Sequence, residues 1–87
     1  MALLDELADA LAADVMAAMK EFDDDRLYME VSKVIGTSSP SLQEAFNTSC
    51  RLRLSEQRAR KFLDETIRAR REGTKAPAAP RDTEGGH

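Results

Sequence analysis

The chain has 87 residues, of which 41% are hydrophobic and 33% are charged, and its net charge is −3. This length allows one domain at most, and this balance excludes a disordered polyelectrolyte and a membrane-embedded protein. The single cysteine, Cys50, excludes an internal disulfide and a cysteine-built zinc site.

Residues 2–22 predict an amphipathic helix, because apolar side chains recur at intervals of three and four residues. The predicted buried stripe consists of Leu4, Leu7, Leu11, Val15, Ala18, Met19 and Phe22. Five alanines flank this stripe and would permit another helix to approach closely: Ala8, Ala10, Ala12, Ala13 and Ala17.

A second, shorter helix is predicted after the acidic sequence FDDD, in which any of Asp23 to Asp25 can cap the helix that follows. Its apolar face is formed by Leu27, Val31, Val34 and Ile35, with Tyr28 at the edge. Gly36 is a helix stop signal. The β-branched residues leave a strand as the alternative, but the spacing favours a helix.

A long third helix is predicted from about residue 40 to residue 72. Pro40 suits the first helical position with Ser39 as its cap, and Ser41 with Glu44 offers a competing capping box. The sequence NTSC holds four modest helix formers, so the helix is either continuous or broken near residues 47–55. Its apolar face is formed by Leu42, Ala45, Phe46, Ser49, Leu52, Ala59, Leu63 and Ile67.

Gly73 ends this pattern, and residues 74–87 contain two prolines, two glycines and no apolar residue larger than alanine. The sequence therefore predicts an all-α protein with one helical domain, residues 1–73, and a disordered tail, residues 74–87. The expected architecture is a helical hairpin or a three-helix bundle.

The long helix also predicts self-association. A helix over residues 40–72 would be about 50 Å long, whereas a compact globule of this chain would be roughly 30 Å across. With no disulfide or metal to stabilise a thin two-layer fold, a homodimer is the expected way to cover the excess apolar surface. The centres of the two stripes, Leu11 and Leu63, are predicted to be core residues.

Charge is distributed unevenly along the chain. Residues 1–47 hold three basic and ten acidic side chains, a net −7, whereas residues 48–73 hold eight basic and four acidic ones, a net +4. The basic region suggests nucleic-acid binding through Arg51, Arg53 and Arg58 as one function. The acidic composition, with a pI of about 5.1, disfavours that function.

A solvated helix surface explains the basic region better. Charges of alternating sign recur every fourth residue, at Glu56, Arg60, Asp64, Arg68 and Glu72. Lys61 and Glu65 repeat this spacing. Such pairs satisfy one another along a helix, whereas a phosphate-binding surface would leave its cations unpaired.

No catalytic residue, cofactor or metal site is predicted. The run Asp23 to Asp25 lacks the spaced ligands, the glycine and the closing glutamate of a calcium loop. Cys50 has no rigid base, because the only histidine is His87 in the tail, and a buried packing role is expected for it. We therefore expect neither an enzyme nor a small-molecule substrate.

We predict a small helical protein–protein interaction or regulatory module that acts as a homodimer and contacts a further protein partner. The predicted interaction residues are Leu52, Ala59, Leu63, Ile67, Leu11 and Val15. The alternatives are the nucleic-acid-associated regulator, using the basic segment 51–71, and a structural subunit of a larger complex. With no signal peptide or membrane span recognisable in the sequence, we expect a cytoplasmic protein, of bacterial type.

Overall fold

Three α-helices organise the part of the chain that the structure, a computed structural model, describes, which is residues 2–75 and 77–79. They are α1, Leu3–Phe22, α2, Leu27–Gly36, and α3, Pro40–Glu72. No strand occurs within these residues, so the all-α prediction is confirmed. Of the predicted tail, residues 74, 75 and 77–79 lie outside any helix, and residues 76 and 80–87 are outside the described part.

The chain divides into two compact units, Met1–Ser55 and Glu56–His87. The helix α3 is continuous from residue 40 to residue 72, so the alternative of a break near residues 47–55 is wrong. The extent of the single domain predicted for residues 1–73 stays a prediction. The two units are described separately below, as the helical unit (residues 2–55) and the basic unit (residues 56–75 and 77–79).

The turn between α1 and α2 is built on acidic residues. Asp23 adopts the left-handed conformation, with φ 53°, and Asp24 donates its backbone N–H to the Met19 carbonyl at 3.0 Å. This pattern is a Schellman motif with aspartate at the position where glycine is most common. Asp24 Oδ1 then accepts the Arg26 N–H at 3.0 Å. The predicted cap on α2 is wrong, because Arg26 is the N-cap and contributes no side-chain cap.

The turn between α2 and α3 confirms Ser39 as the cap of α3. Its Oγ accepts the Leu42 N–H at 3.1 Å, and its carbonyl accepts the Gln43 N–H at 3.0 Å. α2 ends at Gly36 as predicted, but this glycine does not adopt a left-handed conformation. A Cβ on it would lie 2.6 Å from the Gln43 side-chain nitrogen, so Gly36 provides space for that side chain.

Gln43 uses this space to bind α2. Its Nε2 donates to the Ser32 carbonyl at 2.9 Å and lies 3.3 Å from the Ser32 hydroxyl. Ser32 is buried, so the Gln43 amide joins α2 to α3 at a partly buried position. The sequence analysis missed this contact, because nothing in the spacing of Ser32, Gly36 and Gln43 along the chain marks it.

The core of the helical unit combines small residues from α1 with large ones from α3. Ala8 and Ala12 are 1% and 0% exposed, and Phe46 and Cys50 are both 0% exposed. The remaining core residues are Val15, Met16, Met19 and Ile35. Ala8, Ala12 and Phe46 belong to one buried cluster, and small side chains on α1 allow the close packing that such a cluster requires.

The buried face of α1 is therefore rotated from the predicted stripe. Leu4, Leu7 and Phe22 are exposed, so their assignment to the core is wrong, and Leu11 packs only partly against it. In α2 the predicted core residue Val34 is also exposed, at 69%. The predicted stripes followed side-chain hydrophobicity alone, whereas the packing selects the faces whose shapes fit together.

In the basic unit, residues 56–72 continue α3 with little burial. Ala69 is the one buried residue of this segment. The helix ends in a second Schellman motif, with Gly73 at φ 73° and a 2.8 Å hydrogen bond from the Thr74 N–H to the Ala69 carbonyl. This end confirms the prediction that Gly73 terminates α3.

Candidate interaction surfaces

The basic unit carries an exposed apolar stripe on α3. Ala59, Leu63 and Ile67 are each four residues apart and therefore lie along one side of the helix. Leu63 is 44% exposed and Ile67 is 36% exposed. The prediction that Leu63 is a core residue is wrong for the single chain, and the stripe is available for contact with another molecule.

One ion pair accompanies this stripe. Arg60 Nη2 lies 3.2 Å from Glu56 Oε2, and both side chains are more than half exposed. It is the only ion pair within the described residues, so the predicted ladder through Asp64, Arg68 and Glu72 is largely wrong. Exposed pairs gain little over hydration and side-chain entropy, which explains why the other links do not form.

The helical unit carries a second exposed apolar surface, at the start of α1. Leu3, Leu4 and Leu7 are all exposed there. Asp5 and Glu6 lie among them in the first turn of the helix. This surface was missed because the sequence analysis assigned Leu4 and Leu7 to the core. The alanines at positions 8 and 12 are the signal that could have found it, since they mark the neighbouring face as the one in close contact.

The remaining predicted interaction residues divide between surface and core. Leu52 is 67% exposed on α3, whereas Val15 is buried and Leu11 is partly buried against the core. The structure therefore places Val15 and Leu11 inside the chain's own packing. It places Leu52, Ala59, Leu63 and Ile67 where another molecule can reach them.

The three arginines of the nucleic-acid alternative have different environments. Arg53 is half-buried, and its Nε donates to Ser49 Oγ at 3.3 Å. Its Nη2 donates to the Asp9 carbonyl of α1, also at 3.3 Å. Arg51 and Arg58 are exposed. Arg53 thus joins α3 to α1 within the helical unit, which sets it apart from the exposed Arg51 and Arg58.

The thiol of Cys50 is fully buried. Burial raises its pKa above the usual value of a cysteine, and the nearby Arg53 charge opposes that rise in part. A neutral, inaccessible thiol is a poor nucleophile. Cys50 therefore acts as a small apolar packing residue beside Phe46, as expected from the sequence.

Within the described residues, no group of three or more histidine, cysteine, aspartate or glutamate side chains is arranged to hold a metal ion. None of the helices in this part of the chain has both the length and the apolar character that crossing a bilayer requires.

Comparisons with protein-family models, with curated proteins and with solved structures found no match to this chain.

Proposed function

We propose that the chain is a small helical protein–protein interaction or regulatory module that acts as a homodimer. One observation carries this proposal: residues 56–72 form a helical segment with a single buried residue and an exposed apolar stripe at Ala59, Leu63 and Ile67. Leu63 and Ile67 remain exposed in the single chain, so covering the stripe would remove apolar surface from water. A partner helix would supply that cover.

The proposal is for a non-catalytic protein in a reducing compartment. Its one thiol, Cys50, is buried without a disulfide partner, which suits a cytoplasmic setting. A bacterial origin, a further protein partner and a role as a subunit of a larger complex belong to the same proposal. They are supported only by the general character of the sequence.

Light scattering of the purified chain tests the proposal. We expect a mass about twice that of the 9.6 kDa chain at high concentration, falling toward the monomer on dilution. Replacing Leu63 and Ile67 together with alanine should weaken the association, because it removes the larger side chains of the stripe. The control is Val34→Ala, which removes a still more exposed apolar side chain from α2.

The proposal fails if the chain is monomeric throughout the dilution series and binds no protein at fixed stoichiometry. If the dimer forms but the Leu63 and Ile67 changes do not affect it, the association uses another surface. The exposed leucines at the start of α1 are then the next residues to test.

A further inference from the structure

We infer that the occupant of the stripe is the same stripe of a second copy, antiparallel, with a two-fold axis at Leu63. This inference rests on the proposed function, because it names the partner of that surface. The pairing face is defined as Glu56, Ala59, Leu63, Ile67 and Arg70. All five residues lie within the basic unit, so the inference depends on one helical segment alone.

The side-chain sizes on the pairing face match those that a two-fold axis requires. An antiparallel pair centred on Leu63 brings residue 63−n of one copy opposite residue 63+n of the other. Leu63 then meets its own copy at the axis, and the small Ala59 faces the larger Ile67 of the second copy on both sides. Side chains spaced by three, four and seven residues form the contact seam of helices that cross at about 20°, which keeps residues on both sides of Leu63 opposite each other.

The charges on the pairing face are also self-complementary. Glu56 is seven residues before Leu63 and Arg70 is seven residues after it, so both point within about 20° of the Leu63 direction. The same two-fold axis therefore places each Glu56 near Arg70 of the other copy. Arg70 has no ion-pair partner among the described residues, whereas Glu56 holds only the exposed pair with Arg60.

A parallel pair of these helices would not be complementary in charge. In parallel alignment Glu56 would face Glu56 and Arg70 would face Arg70, and each contact would place like charges together. The acidic surface of α1, with Leu4 and Leu7, is a different possible occupant. It would attract the arginines of α3, but its acidic side chains would not pair with Glu56. The position of Glu56 on the face favours the second copy.

The test exchanges the two charges between chains. Glu56→Arg alone places two pairs of arginines together in the homodimer, and Arg70→Glu alone places two pairs of glutamates together. Each variant should dimerise at least about tenfold more weakly than the parent. An equimolar mixture of the two variants restores both opposite-charge contacts. We therefore expect a heterodimer with an affinity near that of the parent, measured by sedimentation and counted by native mass spectrometry.

Two matched controls lie on the far side of the same helix. Arg68→Glu and Glu72→Arg make the same charge changes about 140° and 180° away from Leu63. They should leave the homodimer intact and should show no preference for each other in a mixture. Far-ultraviolet circular dichroism of all four variants checks that helix content matches the parent.

Each other outcome overturns the inference. If the parent dimerises and both single variants still do so equally well, the pairing face is wrong while the proposed function stands. If Arg70→Glu weakens the dimer, Glu56→Arg strengthens it and mixing gives no heterodimer preference, the acidic surface of α1 is the occupant. If the parent itself is monomeric at every concentration, the inference and the proposed function fail together.

Discussion

The two parts of α3 are stabilised in different ways, although they belong to one continuous helix. Residues 40–55 contribute Phe46, Ser49 and Cys50 to the packed interior of the helical unit. Residues 56–72 bury only Ala69. The sequence NTSC, a weak helix former, falls in the first part, where packing compensates for low propensity. The second part is rich in arginine, glutamate and alanine, which favour a helix without packing.

This contrast shows that helix propensity and tertiary contact substitute for each other along α3. The predicted weak point at residues 47–50 is not a break, because Ser49 and Cys50 are held in the core. The segment with the better intrinsic propensity is the one whose apolar side chains remain exposed. Experiments that separate the two parts should therefore give large effects in the first and small effects in the second.

The largest expected difference is between Phe46→Ala and Leu63→Ala. Phe46 is fully buried, so removing its ring should lower the free energy of unfolding by about 3–5 kcal/mol. Leu63 is nearly half exposed in the single chain, so its truncation should cost less than about 1 kcal/mol in a dilute, monomeric sample. Denaturant unfolding followed by circular dichroism measures both. Equal losses would contradict the contrast between the two parts.

A smaller effect is expected at the contact between α2 and the first part of α3. Gly36→Ala should displace the Gln43 side chain and cost about 1 kcal/mol, because it breaks the hydrogen bond to the Ser32 carbonyl. Gln43→Ala should cost a similar amount.

The double variant identifies the cause of this effect. Once Gln43 is alanine, the side chain nearest to residue 36 is gone, and Gly36→Ala should become neutral or stabilising through its better helix propensity. Additive losses in the double variant would mean that Gly36 matters for a reason other than Gln43.

The buried thiol of Cys50, in the first part of α3, makes the stability of the protein depend on alkaline pH. Because burial raises its pKa in the folded state, the folded protein holds the thiol proton more tightly than the unfolded chain does. Its contribution to stability is present below the thiol pKa of the unfolded chain and is lost as pH rises from there through the higher folded pKa. Cys50→Ala should remove this component of the alkaline loss of stability.

Alkylation gives an independent measurement at the same residue. The native thiol should react slowly with iodoacetamide at neutral pH and should become reactive when denaturant unfolds the helical unit. Rapid reaction under native conditions would mean that the first part of α3 opens far more readily than its burial indicates.

The sequence was sufficient for the helices but not for their faces. The Ser39 cap, the start at Pro40 and the stop at Gly73 are local signals, and all three are confirmed. Which side of α1 is buried depends on residues far away along the chain, such as Phe46 and Cys50 in the same cluster. Ala8 and Ala12, and not Leu4 and Leu7, are buried there.

The exposed apolar stripe on α3 was also predicted only in part, because the sequence shows spacing along a helix but not the tertiary contacts. Ala59, Leu63 and Ile67 share one side of α3 by spacing alone, and the structure places them on the surface. Their exposure was predicted only in part, because all three were named as interaction residues while Leu63 was also assigned to the core, where hydrophobic side chains at helical spacing normally lie. Arg53 was assigned to a possible nucleic-acid surface, but it donates hydrogen bonds to Ser49 and to the Asp9 carbonyl. Those bonds could not be predicted without knowing how α3 meets α1.

The smallest effect is expected where the second part of α3 is most highly charged. Replacing Arg60 and Arg68 together with glutamine removes one observed ion pair, with Glu56, and otherwise leaves exposed groups in water. The free energy of unfolding should fall by less than about 1 kcal/mol, and added salt should reduce the difference further. Neither residue belongs to the pairing face, so the oligomeric state should not change.

The same double variant tests the nucleic-acid alternative. A phosphate-binding surface would bind duplex DNA or structured RNA at ~0.1 M salt and would lose affinity steeply as salt rises. We expect no such complex, because Arg53 is engaged within the helical unit and the chain is acidic as a whole. A salt-sensitive complex of the parent that the double glutamine change abolishes would show that the exposed arginines of the second part bind phosphate. In that case the charged surface of α3, and not its apolar stripe, would be the functional one.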